Sequence, residues 1–226
     1  MTRLIVALDT RDHLWAKNMV EELGAAVGFY KVGLELFTAA GPELVQWLKS
    51  AGKKVFLDLK FHDIPNTAGR AVAAASALGV DLCTLHVSGG KEMLQACRQN
   101  AGHMKLLGVT VLTSSDESTL RECGIEHSVV RQVQQLASLA VDARLNGIIC
   151  AASDLAQLQG LPSDFLRVTP GIRPAGSVAN DQKRVMTPSQ AAKNGATHIV
   201  VGRPITTAQH PRQAAAAIIN QLEECK

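Results

Sequence analysis

The stretch VFLDLKFHDIPNT, residues 55–67, combines an apolar run with regularly placed ionisable side chains. Successive side chains of a strand point to opposite faces, so its first part divides into two sets. One set is apolar and can pack against helices: Val55, Leu57 and Leu59. The other set is Phe56, Asp58 and Lys60. Because a buried charge is costly unless it is paired, Asp58 and Lys60 indicate a paired polar site at the end of this strand.

Short apolar runs like this one recur along the chain, with Ala-, Leu- and Gln-rich segments between them. The predicted strands are residues 4–8, 29–32, 55–59, 82–85, 105–112, 147–151, 166–169 and 198–201. The predicted helices are residues 14–23, 42–51, 68–78, 91–100, 128–145, 188–194 and 211–224. Alternation of strand and helix is typical of parallel βαβ units. Eight such units in 226 residues predict an α/β fold, a closed (β/α)8 or TIM barrel.

The alternative is an open doubly wound sheet, which usually has a Gly-rich turn after its first strand. Here the first predicted strand is followed by Asp-Thr-Arg-Asp, residues 9–12, without a glycine. No stretch of the sequence has the composition of a linker. We therefore expect residues 1–226 to form a single barrel domain.

Composition and charge exclude several classes of protein. Hydrophobic residues make up 46% of the chain and charged residues 19%, which is typical of a globular protein rather than a disordered one. The net charge of +3, without a cluster of Lys and Arg, does not indicate nucleic-acid binding. No apolar run is long enough for a transmembrane helix, and the N-terminus lacks the layout of a signal peptide. Five dispersed cysteines without a metal-binding spacing favour a reducing cytoplasm.

Charged residues recur where neighbouring predicted strands end. Asp9 follows the first strand, Lys31 lies in the second, and Asp58 and Lys60 lie in the third. In a barrel these strand ends form the face that carries catalytic groups. Asp63 begins the loop that follows the third strand. We expect an alternating row of carboxylates and ammonium groups, which satisfies the pairing of buried charges and can transfer protons.

A second group of residues follows the last two predicted strands. Gly171 and Gly202 would allow a close approach of the backbone, and Arg173 and Arg203 would supply charge-assisted hydrogen bonds. Barrels often bind phosphate in this region. The polar stretch RPAGSVANDQKR, residues 173–184, is long enough for a mobile lid. His86, at the end of the fourth strand, is compatible with contact to a substrate or with a purely structural hydrogen bond.

Sequence motifs of three common enzyme classes are missing. We find no GxxxxGK[ST], no HExxH and no GxSxG. Their absence weakens interpretations as a P-loop nucleotide hydrolase, a zinc protease or an α/β-hydrolase.

The motifs together resemble those of one family along essentially the whole chain. They are, in order, VALDT, FYKVGLELF, FLDLKFHDIPNT, LHVSGG, GVTVLTS, VTPGIRP, DQKR and VVGRPIT. The chain is similar to the orotidine 5′-phosphate decarboxylase family in its compact bacterial form. The resemblance implies decarboxylation of orotidine 5′-monophosphate to UMP and CO2, the last step of de novo pyrimidine biosynthesis, without a metal or cofactor.

The resemblance also implies a role for each site residue. The catalytic array would be Lys31, Asp58, Lys60 and Asp63. Within it, Lys60 would donate the proton to C6, and Asp58 would lie beside the substrate carboxylate. Lys31 would also bond to the ribose, as Asp9 would, and Thr113 would contact the pyrimidine. The phosphate would be bound by Arg173, Gln182, Gly202 and Arg203, with Gln182 on the closing loop.

The same resemblance implies a homodimer in which Asp63 and Thr67 reach the active site of the partner subunit. Two alternatives remain at this point. One is a Mg²⁺-dependent sugar-phosphate decarboxylase or aldolase of the same superfamily, although Lys31 occupies a place where a metal site would prefer a carboxylate. The other is a catalytically inactive nucleotide-binding barrel, although Asp58 and Lys60 are both present.

Overall fold

Eight parallel strands close into a barrel in chain order. The computed structural model describes residues 2–158, 160–174 and 186–225. The strands are β1 (Arg3–Leu8), β2 (Phe29–Gly33), β3 (Lys54–Phe61), β4 (Leu82–His86), β5 (Lys105–Val109), β6 (Gly147–Ile149), β7 (Leu166–Thr169) and β8 (His198–Val201). The predicted (β/α)8 barrel is confirmed, and each predicted strand overlaps an observed one.

Helices follow the strands on the outside of the barrel. They are α1 (His13–Leu23), α2 (Leu34–Ser50), α3 (Pro65–Ala77), α4 (Gly90–Gln99), α5 (Glu117–Glu122), α6 (Val129–Asp142), α7 (Pro188–Lys193), α8 (Arg203–Thr206) and α9 (Pro211–Glu223). At the start of α1, the Asp12 side chain accepts hydrogen bonds from the backbone N–H groups of Leu14 and Trp15. No helix among the described residues is long and apolar enough to cross a bilayer.

The strands carry two apolar surfaces, one facing the barrel interior and one facing the helices. The interior cluster contains Ile5, Ala7, Phe29, Phe56, Leu82, Leu107, Val168 and Val200. The larger cluster between strands and helices includes Val55 and Leu57, and Leu59 packs against it. The predicted division of β3 into two faces is therefore confirmed. Because both faces are buried, most of these strands are apolar throughout, as parallel strands usually are.

Several boundaries differ from the predictions. Helix α2 begins at Leu34 instead of residue 42, and it bends at Gly41, whose φ of 63° is accessible to glycine, ahead of Pro42. Helices α5 and α8 were not predicted. Strand β5 ends at Val109 instead of residue 112, although the N–H of Thr110 still donates to the Ile149 carbonyl.

Candidate active site

A cavity of about 300 Å³ opens at the carboxyl ends of the strands. Its floor is mainly apolar: Ala7, Phe56, Val109, Ile149 and Val200. The sequence-predicted residues around it are Asp9, Lys31, Asp58, Lys60, Thr113, Arg173, Gly202 and Arg203. Gln182 lies outside the described residues. A concave site with an apolar floor and a few convergent polar groups is typical of small-molecule binding.

The four charged groups of the first three strands form an alternating row. Lys31 Nζ lies 2.8 Å from Asp9 Oδ1 and 3.7 Å from Asp58 Oδ2. Lys60 Nζ lies 2.9 Å from Asp58 Oδ1. The row therefore runs carboxylate, ammonium, carboxylate, ammonium across the cavity. The register places Lys31 opposite Ala7 and Phe56, two residues before Asp9 and Asp58. The long Lys31 side chain extends past Gly33 to reach both carboxylates.

Asp58 and Lys31 are the most enclosed members of the row, with side chains 14% and 12% exposed. Burial raises the pKa of the Asp58 carboxyl group, because removal from water disfavours the charged form. The charges of Lys31 and Lys60, together with hydrogen bonds from Lys60 and Thr84, outweigh burial and hold the pKa below its ordinary value. Asp58 is therefore a carboxylate at neutral pH.

Lys60 adopts an unusual backbone conformation, with a φ of 52°. The left-handed region is unfavourable for a side chain with a Cβ atom and costs about 1–2 kcal/mol. The pairing of β3 with β4 shifts register between Leu57 and Phe61, which surround this residue. The N–H of Lys60 donates to Thr84 Oγ1 at 2.9 Å instead of to a neighbouring carbonyl. Such outliers are often found at functional sites.

Thr84 is a site residue that sequence reasoning missed. Its hydroxyl also donates to Asp58 Oδ1 at 2.9 Å, so it contacts two residues of the charged row. A threonine in an apolar run is common in any strand, and nothing in the sequence distinguishes this one.

Asp63 and Thr67 do not line the cavity of their own chain. Both are exposed, in the loop after β3 and in the first turn of α3. The Asp63 carboxylate accepts a hydrogen bond from the N–H of Ile64 at 2.6 Å. Ile64 itself is 66% exposed, more than any other large apolar residue in the described part of the chain. The structure therefore separates these two predicted site residues from the others.

The far side of the cavity carries the predicted phosphate-binding residues. Gly171 has a φ of 74°, which favours glycine, and Gly202 precedes the short helix α8. Arg173 is only 8% exposed and donates to the Ile172 carbonyl at 2.9 Å. Arg203 is exposed at the cavity edge. Two arginines and backbone N–H groups at a helix start are well suited to an anion.

His86 does not line the cavity. Its ring lies 5.6 Å from that of His62, centre to centre. Burial lowers the pKa of His86, and the charges of His62 and Lys60 lower it further. The imidazole is therefore neutral at neutral pH.

In the part of the chain that the structure describes, no three His, Cys, Asp or Glu side chains lie close enough to bind a metal ion together. The expected independence from metals and cofactors stays a prediction. At the centre of the charged row, the position between the carboxylates of Asp9 and Asp58 is occupied by the Lys31 ammonium.

The chain is similar to known proteins along nearly its whole length. A protein of Moorella thermoacetica named orotidine 5′-phosphate decarboxylase is 46% identical over 235 residues, covering 99% of this chain and 93% of that protein. The protein of that name from Idiomarina loihiensis is also 46% identical, covering 99% of both chains.

Solved structures are similar as well. The crystal structure of orotidine 5′-phosphate decarboxylase from Lactobacillus acidophilus has a TM-score of 0.88 and 38% identity, covering 98% of this chain and 99% of that one. The corresponding enzyme from Pyrococcus horikoshii, at 23% identity and a TM-score of 0.81, shares the fold and covers 97% of this chain and 99% of that one. The sequence model of one family matches residues 2–218. The chain therefore belongs to the orotidine 5′-phosphate decarboxylase / HUMPS family.

Proposed function

We propose that this protein decarboxylates orotidine 5′-monophosphate to UMP and CO2, the last step of de novo pyrimidine biosynthesis, with residues 1–226 acting as one catalytic domain. The observation that carries the proposal is the alternating row of Lys31, Asp58 and Lys60 beside an apolar cavity floor. The curated relatives, which are similar to this chain along nearly their whole length, bear the name of this activity.

Lys60 would stabilise the developing charge and supply the proton. Loss of CO2 leaves an electron pair at C6, in an orbital that the ring carbonyls stabilise poorly. A fixed ammonium stabilises this pair electrostatically, in a site where no reorganisation is needed during the reaction. Transfer of a proton from Lys60 Nζ to C6 then completes UMP and leaves a neutral amine, which solvent reprotonates.

Asp58 and Lys31 would prepare the site for that step. As a carboxylate, Asp58 fixes the Lys60 ammonium at 2.9 Å and would lie beside the carboxylate of the substrate. Repulsion between the two carboxylates would be relieved as CO2 leaves. Lys31, which bridges Asp9 and Asp58, would bind the ribose together with Asp9.

The remaining contacts would orient the nucleotide. Thr113, at the cavity wall, would contact the pyrimidine. Arg173, Arg203 and the backbone at Gly202 would bind the phosphate together with Gln182. Binding energy from a phosphate remote from C6 can organise the site for the chemical step.

Asp63 and Thr67 would act in the active site of a partner subunit, so the functional unit would be a homodimer. The exposure of Asp63, Thr67 and Ile64 supports this proposal, because an interface would cover the apolar side chain and use the polar ones. We further propose a cytoplasmic location, which is supported because none of the five cysteines, all of them among the described residues, forms a disulfide.

The two alternative functions are less consistent with the site. A Mg²⁺-dependent sugar-phosphate enzyme needs carboxylates directed at a cation, whereas here an ammonium lies between Asp9 and Asp58. A catalytically inactive nucleotide-binding barrel would not need the Asp58–Lys60 pair at 2.9 Å.

The proposal is tested by measuring CO2 release from orotidine 5′-monophosphate with and without EDTA. We expect turnover that EDTA does not inhibit and that Lys60→Ala abolishes. The matched control is Lys49→Ala, which breaks an ion pair with Asp81 outside the cavity and should keep full activity. Absence of turnover in folded wild-type protein would contradict the proposal. Sugar phosphates with added Mg²⁺ would then be the next substrates.

A further inference from the structure

Thr84 lies in β4 beneath the charged row and is fully buried. Its neighbours Cys83 and Leu85 belong to the cluster between the strands and the helices. Side chains alternate along a strand, so Thr84 faces the barrel interior. It is thus placed under the pair formed by Asp58 and Lys60, without reaching the cavity surface itself.

The hydroxyl of Thr84 uses both of its hydrogen-bonding capacities on that pair. It donates its proton to Asp58 Oδ1 at 2.9 Å and accepts the N–H of Lys60 at 2.9 Å. Asp58 Oδ1 also accepts from Lys60 Nζ at 2.9 Å. The contacts close a ring through one carboxylate oxygen, one hydroxyl, and both the backbone and the ammonium of Lys60.

This closed set of hydrogen bonds stabilises two features that the conformational preferences of the residues themselves do not favour. Lys60 has a left-handed backbone, with φ at 52°, and its N–H has left the regular ladder of the sheet. Without an acceptor at Thr84 that N–H would lose its partner, which is costly inside a protein. The same hydroxyl orients the carboxylate of Asp58, whose second oxygen faces Lys31.

We infer that Thr84 is a positioning residue for the proposed decarboxylation, holding the Asp58 carboxylate and the Lys60 backbone so that the Lys60 ammonium is directed at the reacting carbon. This inference rests on the proposed function. Thr84 acts through Asp58 and Lys60 and does not touch the substrate.

The test compares Thr84→Val, which keeps the shape of the side chain but removes the hydroxyl, with Thr84→Ser, which keeps the hydroxyl. Misplacement of a reacting group lowers kcat by about tenfold to a hundredfold. We expect that loss in Thr84→Val with little change in KM, and near-complete recovery in Thr84→Ser. The acid limb of the pH profile should also move to higher pH in Thr84→Val, because Asp58 loses a donor that lowers its pKa.

The matched control is Thr110→Val. The Thr110 hydroxyl is buried and donates at 2.9 Å to the Ile149 carbonyl, away from the charged pair. The Thr110→Val variant loses a hydrogen bond comparable to those lost in Thr84→Val. We therefore expect a similar thermal destabilisation, but the kcat and the pH profile of the wild type. Equal kcat in Thr84→Val and Thr110→Val would overturn the inference. If Thr84→Val does not fold, Thr84→Cys, with its weak S–H donor, should give an intermediate kcat, and a wild-type kcat there would contradict the inference.

A second measurement does not depend on turnover. Carbon NMR of protein with labelled aspartate follows the titration of the Asp58 carboxyl group directly. We expect its pKa to be higher in Thr84→Val than in the wild type and in Thr84→Ser. An inactive wild type would contradict the proposed function. An Asp58 pKa that is unchanged in Thr84→Val would contradict the proposed role of Thr84.

Discussion

The ammonium of Lys31 lies 2.8 Å from the carboxylate of Asp9, the residue that directly follows the neighbouring strand β1. This position is available only because the next inward residue of β2 is glycine. A Cβ atom on Gly33 would lie 2.9 Å from Lys31 Nζ. The backbone of Gly33, with a φ of −95°, has a conformation that is accessible to any residue. The atom that the Cβ atom would meet is the tip of a flexible side chain, so the backbone would not have to move.

Gly33→Ala should therefore separate activity from stability. We expect the added methyl group to displace the Lys31 ammonium from Asp9 and Asp58 and to lower kcat/KM by about tenfold, which is about 1.4 kcal/mol. The thermal midpoint should hardly change. Gly28→Ala is the matched control, because its Cβ would meet nothing within 4 Å. Steady-state kinetics and thermal unfolding of the two variants test this, and wild-type kinetics in Gly33→Ala would contradict it.

Arg203→Ala should lower kcat/KM only for substrates that carry a phosphate. A charge-assisted hydrogen bond is worth about 1.5–3 kcal/mol, so we expect kcat/KM for orotidine 5′-monophosphate to fall by about 10- to 100-fold. With orotidine, which lacks the phosphate, wild type and variant should be equally slow. An unchanged kcat/KM for the nucleotide would exclude Arg203 as a phosphate ligand.

Mixing two inactive variants tests whether Asp63 acts across an interface. In a heterodimer of Lys60→Ala and Asp63→Ala, one of the two sites would receive an intact Lys60 and an intact Asp63. Random exchange of subunits in a symmetric dimer should restore about a quarter of the wild-type activity. If Asp63 acts within its own chain, the mixture stays as inactive as its components.

His198 should make the protein less stable in acid. The residue is 7% exposed, and burial, with the charges of Arg3, Lys105 and Lys54, lowers its pKa from 6.5 to about 4. The folded state binds the proton less readily than the unfolded chain, so stability is full above about pH 6.5 and decreases as the pH falls to about 4. At about 1.36 kcal/mol per pH unit, the loss is about 3 kcal/mol.

Chemical unfolding at a series of pH values measures this loss. In His198→Gln, which cannot titrate, the decrease over that window should be smaller by about the same 3 kcal/mol. His210→Gln, at an exposed position before α9, is the control and should follow the wild type. Identical slopes in wild type and His198→Gln would contradict the prediction.

The strands and most of the charged row could be predicted from the sequence, for a physical reason. Strands buried on both faces are apolar, so a charge such as Asp58 or Lys31 within one of them is conspicuous. The short helices α5 and α8 contain too few residues to develop a helical periodicity. For α5, the Asp116 side chain that accepts from the N–H of Thr119 was an available signal.

The left-handed backbone of Lys60 could not be predicted, because lysine has no preference for that conformation. It depends on a contact with Thr84, which lies 24 residues further along the chain. Asp63 and Thr67 are a different case, since their expected partner is another subunit, and a single chain leaves them at the surface.

The irregular end of β3 has a consequence for protein design. Grafting the Asp58 and Lys60 side chains onto a regular strand of another barrel would transfer the functional groups without the backbone irregularity that orients them. Restoring the ladder between Leu57 and Phe61 would turn the Lys60 N–H back toward a neighbouring carbonyl. A successful transplant would have to include the hydroxyl on the adjacent strand, so the smallest portable unit is a strand pair rather than a sequence motif.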